Sequence, residues 1–93
     1  MNFKEIKLAL TVALMNRAPE EEPLPFVESF MQRFRPEAGA FRGMLATRRE
    51  SIGDALEKQL WTLAYDHCCL DLELIDNKVL RSQSLQRFEF RQN

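Results

Sequence analysis

Asp66-His67-Cys68-Cys69, with Asp71 just beyond, is the one stretch of this chain where metal-ligating and nucleophilic side chains gather. Thiolate, imidazole and carboxylate are the usual zinc donors, and a thiol beside an imidazole is the pairing used by cysteine nucleophiles. The spacing serves neither. On a helix consecutive side chains point ~100° apart, so His67, Cys68 and Cys69 cannot all face one ion. The C-x₂₋₄-C spacing of zinc sites is missing, and the same fanning takes the imidazole out of hydrogen-bond reach of a neighbouring sulfur. These side chains therefore read as buried thiols, with no metal and no cofactor. Adjacent cysteines bridge only with a strained backbone, so no disulfide framework is expected, which fits a reducing compartment. No Gly-rich phosphate loop, Ser/His/Asp arrangement or dinucleotide fingerprint appears. Asp54 and Glu57, three apart, read as solvated acids, and the chain is expected not to be an enzyme.

The elements that must carry these residues read as mainly helical. Phe3, Ile6, Leu10, Ala13 and Leu14 form one face of a first helix reaching about Asn16, with Leu8, Val12 and Met15 beside it. An apolar arc this wide needs cover on two sides, from the rest of the domain or from a second copy of the chain. Ala18-Pro19 ends the helix, and Glu20-Glu21-Glu22 between prolines forms a stiff acidic connector. Pro25 suits the first turn of a second helix, which Pro36 closes; Phe26, Phe30 and Phe34 recur along it at a spacing that favours a core face. Gly39 and Gly43 weaken the stretch 37–46, read as a turn and a short helix.

Thr47-Arg48-Arg49-Glu50 fits a capping box, and from it a central helix is expected to run to about Cys69. Ile52, Leu56, Leu60, Leu63 and His67 follow one stripe of it, Trp61, Tyr65 and Cys68 an offset one. Leu60 faces the core in this reading, so that Leu60→Ala should cost about 2 to 5 kcal/mol. Beyond His67 the period changes to two: Leu70, Leu72 and Leu74 alternate with Asp71 and Glu73 as a half-buried strand. Asp76-Asn77 signals a turn, Val79 to Ser82 a return strand, and Phe88 and Phe90 a third strand or the end of the second. The sequence thus predicts one α+β domain over residues 1–93, mainly helical with three to four helices around Leu10, Phe30, Leu56, Leu60 and Leu63, ending in an antiparallel β-hairpin or short meander.

With 93 residues, 45% of them hydrophobic, the chain can bury one modest core. No run approaches the ~20 apolar residues of a membrane span, and Leu8 to Met15 lacks the flanks and cleavage site of a signal peptide, so no membrane association and a cytoplasmic location are expected. The net charge of −1 conceals blocks: residues 31–49 carry 5 basic and 1 acidic group, residues 50–76 carry 1 and 7. Such blocks either neutralise one another across the fold or select a partner.

Two functions from different classes follow. Helices before a strand pair are similar in order to a winged helix-turn-helix, with Thr47 to Cys69 reading DNA. That helix would bring Glu50, Asp54, Glu57 and Asp66 against one lysine, Lys58, toward phosphates, so nucleic-acid binding is the weaker alternative. Protein binding fits better: the chain is small, its charge is segregated, and its strand edges have no evident cover. The expected function is a non-enzymatic protein-binding module, an accessory regulator, inhibitor or adaptor, either a homodimer or a module that adds a strand to a target. A monomer whose Arg87, Glu89 and Arg91 protect the edge is the competing reading. The partner-binding residues predicted are Arg33, Arg35, Arg42, Arg48, Arg49, Trp61, Tyr65, Arg87, Phe88 and Phe90.

Overall fold

Half of the chain beyond the helices alternates rather than winds. In a computed structural model, which describes residues 3–92, helices α1 (Phe3–Met15) and α2 (Pro23–Met31) precede four strands, β1 (Phe41–Ser51), β2 (Leu56–Tyr65), β3 (Cys68–Asn77) and β4 (Ser82–Gln92). After α2 the path continues through a 3₁₀ turn at Gln32–Phe34 and one helical turn at Arg35–Ala38. The strands form a single antiparallel meander in the order β1-β2-β3-β4.

The register sorts the side chains into two faces. Across the sheet run the rows Met44, Leu63, Leu70, Phe90 and then Ala46, Trp61, Leu72, Phe88; the next row is Arg49, Gln59, Leu74 and Leu85. Residues opposite one another in an antiparallel pair share a face, and from β2 to β4 the first two rows lie under the helices. Ile6 and Leu10 of α1 and Val27, Phe30 and Met31 of α2 close over Leu63, Tyr65, Cys68, Leu70 and Leu72, with Ala38 completing the core. Each of the larger aliphatic side chains contributes roughly 1.5–3 kcal/mol by leaving water. Phe3 of α1 stacks on Phe90 at 5.8 Å between ring centroids, which ties the first turn of the chain to its last strand.

The opposite face is polar and faces solvent. Glu73 receives Lys58 at 3.1 Å and Arg87 at 2.5 Å from the strands on either side, while Asp71 accepts from Thr62 at 2.7 Å and Arg91 at 2.5 Å. Of α1, only one face is covered: Leu8, Val12 and Met15 stay exposed. Among the described residues, no helix is long and apolar enough to cross a membrane.

The mainly helical architecture of three to four helices is overturned. The chain has two helices and a four-stranded antiparallel sheet, 47% strand and 32% helix. The expected central helix from Thr47 to Cys69 is the last five residues of β1, all of β2 and the start of β3. Its supposed capping box lies inside β1, and Gly53, at φ +91°, sits in the β1–β2 turn. The physical reason lies in β2, where both faces carry apolar residues. Leu60 and Ala64 point to the outer face, while Glu57 and Gln59 occupy the inner one, so alternation is masked and a helical stripe is mimicked. Leu60 is accordingly half-buried on the outer face and not a core residue. The DNA-reading helix of the winged-helix alternative is the same segment and is likewise strand, not helix. At the C-terminus, β4 is longer than a two-residue alternation suggests, and Val79 and Leu80 lie in the β3–β4 turn, where their N–H groups donate to Asn77 Oδ1 at 3.1 and 3.0 Å.

Candidate functional site

The two edge strands, β1 and β4, are each 11 residues long and neither has a buried residue, but only β1 leaves large apolar side chains exposed. Phe41, Met44 and Leu45 are 43%, 38% and 67% exposed, and Ile52 just past its end is 45% exposed. Leu63, the cross-strand partner of Met44, is completely buried. The helical layer therefore ends above β2, and β1 projects past it with open backbone groups on its free side.

Two devices hold that strand in place. At its start, the Asp66 carboxylate accepts from the Ala40 N–H at 2.8 Å and from Arg42, while Asp66 N–H and His67 N–H donate to the carbonyls of Ala40 and Ala38 at 3.1 and 2.9 Å. The Ala40 bond and Arg42 hold the Asp66 carboxyl below its ordinary value. Farther along, a ladder of polar side chains runs down the inner face of β2: Trp61 Nε1–H donates to Gln59 Oε1 at 2.9 Å, and Gln59 Nε2–H donates to Glu57 at 2.8 Å. The Arg49 guanidinium lies over the Trp61 ring at 5.9 Å from its centroid. These contacts extend order beyond the apolar core, to the part of the sheet that the helices leave open.

The predicted site residues divide among four places. Arg42, Arg48 and Arg49 all lie on β1, Arg42 at its start against Asp66 and the other two farther along, Arg48 3.8 Å from Glu50 and Arg49 over Trp61. Tyr65 is buried near the start of β1, its ring 5.5 Å from that of Phe41. Arg33 lies over Phe30, and Arg35 borders a shallow cavity of about 470 Å³ with Glu28, Phe41 and Tyr65. Arg87 belongs to the outer face of β4, whereas Phe88 and Phe90 pack against the helical core on its inner face. Met44, Leu45 and Phe41 are absent from the sequence-derived set. A helical reading of 37–46 hides them, though Met44-Leu45 followed by Thr47 is an adequate strand signal once β1 is recognised.

The cluster that opens the chemistry is dispersed by the sheet. Asp66 and exposed His67 form the β2–β3 turn, Cys68 points into the core and Cys69 to the other face. Among the described residues, no group of three or more His, Cys, Asp or Glu is placed to hold a metal ion. Burial pushes the Tyr65 phenol upward, helped by the negative charge of Glu28, and burial also pushes the Cys68 thiol up. The fold favours both neutral forms, so their contribution is complete below the unfolded values, ~8.5 for cysteine and ~10 for tyrosine, and is lost as pH rises past them. Thermal unfolding followed from pH 7 to 11 should show a falling midpoint above about pH 9, with Tyr65→Phe flattening its upper part. A midpoint independent of pH over that range would contradict the burial of both groups.

Comparison of the chain with protein-family models, with curated proteins and with solved structures finds no match.

Proposed function

We propose that this protein is a non-enzymatic binding module that acts by stoichiometric contact with another protein, as an accessory regulator, inhibitor or adaptor, and that β1 is the contact element. One observation carries the reading: of the two 11-residue edge strands, β1 presents Phe41, Met44 and Leu45 to solvent, whereas Leu85, Phe88 and Phe90 of β4 pack against the core. An uncovered edge offers a row of backbone donors and acceptors, and an incoming strand satisfies them while its alternate side chains meet the exposed apolar ones. Arg42, Arg48 and Arg49 supply charge along the same strand.

A benzophenone amino acid placed at Leu45 tests this directly. Irradiation in the native cell should give discrete adducts at Leu45 and not at Glu89, which is exposed on the opposite edge. An adduct at twice the 10.9 kDa chain mass would identify a second copy, and a larger one a different protein. Equal yields at Leu45 and Glu89, or none at either, would remove β1 as the contact element.

A further inference from the structure

We infer that the occupant of β1 is an acidic and apolar extended segment of a different protein, and not a second copy of this chain. This rests on the reading of β1 as the contact edge and adds the partner's chemistry to it.

The charges of β1 are unbalanced: with Arg42 paired to Asp66, Arg48 and Arg49 stand against Glu50 alone. Two copies joined along β1 would bring six arginines, the two at position 42 already paired to Asp66, and two glutamates onto one seam. A two-fold antiparallel register relieves this only by setting an arginine opposite Glu50, and there are three ways to do so. The bulge between Ala46 and Arg48 matters here, because it puts Leu45 and Arg48 on the outer face with Met44, Ala46 and Arg49 on the inner one. Setting Arg42 opposite Glu50 places Met44 against Arg48, which lie on different faces. Setting Arg49 opposite Glu50 pairs residues of different faces again. Setting Arg48 opposite Glu50 keeps the faces but sets Arg49 directly against Arg49, a like-charge contact that destabilises a strand pair. Bulges and charges of this kind are how sheet edges avoid their own copies.

The same residues describe what fits. Arg48 and Arg49 present one cation on each face at adjacent positions, and Leu45 and Met44 present one apolar side chain on each face, three residues earlier on the outer and five on the inner. A complementary strand has two consecutive acids, a short spacer and two consecutive apolar residues. Opposite-charge and apolar cross-strand pairs then form on both faces at once.

Two fluorescein-labelled peptides of about ten residues test the inference, one with Glu-Glu and Val-Ile pairs separated by one serine, as the bulge requires, the other with Lys-Lys replacing Glu-Glu. The acidic peptide should bind at least about tenfold more tightly at low salt, with the ratio shrinking as salt is raised. Amide shifts should concentrate in residues 41–51. A chain carrying Arg48→Glu and Arg49→Glu should reverse the preference, with an unchanged unfolding midpoint showing that the fold is intact. Equal affinities, no binding of either peptide, or shifts centred elsewhere would overturn the inference. If the chain sediments as a dimer that Leu45→Asp converts to monomers, β1 stands as the contact edge and the acidic foreign segment is refuted. If it is monomeric and the crosslinker at Leu45 is silent as well, both readings fall.

Discussion

Leu72→Ala should lower the unfolding free energy by about 3–5 kcal/mol, whereas Leu60→Ala should lower it by about 1 kcal/mol or less. Leu72 is fully buried at the centre of β3, in the row that joins Ala46, Trp61 and Phe88, and α1 and α2 close over that face. Removing its branched end leaves a cavity between two layers that cannot both move to fill it. Leu60 sits one strand away and on the other face, between Arg48 and Glu73, where truncation exposes little that was dry. Domains of this size are stable by only about 5–15 kcal/mol, and each kcal/mol shifts the midpoint by roughly 4–8 °C, so the Leu72 variant should melt more than about 12 °C lower. Urea unfolding of both variants decides the matter. Equal losses would mean that Leu60 faces a core and that β2 is assigned to the wrong face.

Gly39→Ala is the second substitution with a large expected effect, and it acts on the lock at the start of β1. Gly39 has φ +87° and ψ −173°, a region occupied essentially by glycine alone. A Cβ there would lie 2.3 Å from the Cβ of Asp66, far inside contact distance. The backbone term is worth about 1–3 kcal/mol, and relieving the overlap must displace either Asp66 or the Ala38–Ala40 segment. Either movement breaks the bonds from Ala40 N–H and His67 N–H that fix where β1 begins. The expected loss is therefore about 3 kcal/mol or more by denaturant unfolding, with a weaker signal from β1 amides in hydrogen exchange. Adding Asp66→Gly should recover only part of it, since the backbone conformation is unchanged. A Gly39→Ala variant within about 0.5 kcal/mol of the parent would show that this junction is not closed as described.

How far residues alone disclose this fold depends on which rule each segment obeys. The face Ile6, Leu10 and Ala13 is a clean helical period, and α1 runs Phe3–Met15. Leu70, Leu72 and Leu74 against Asp71 and Glu73 are a clean period of two, and they are buried and outward-facing as alternation requires. Trouble begins where inner positions are polar. Glu57 and Gln59 are satisfied by Trp61 and by each other, a side-chain ladder that no count of apolar residues reveals, and β1 has no buried residue to create a pattern at all. The arginines of 42–49 are visible as a basic block and do share one strand. Their apolar neighbours Phe41, Met44 and Leu45 are not visible as surface residues, because exposure of an apolar side chain depends on where the helices stop. Phe88 and Phe90, expected at a binding edge, pack instead on the helices, since the bulge opposite Glu73 and Leu74 and the Phe3 stack turn them inward.

Trp61 gives the protein a built-in optical reporter. It is the sole tryptophan, its indole N–H is bound to Gln59, its face lies under Arg49, and its cross-strand neighbour on β1 is Ala46. An anion that draws Arg49 off the ring, or a strand that dries the far side of Ala46, alters the polarity around the indole without touching the helical core. Indole emission thus follows occupancy of the edge while far-ultraviolet ellipticity follows folding. Titrations can be read on the unlabelled chain, and a change in one signal without the other separates a bound strand from a loosened fold.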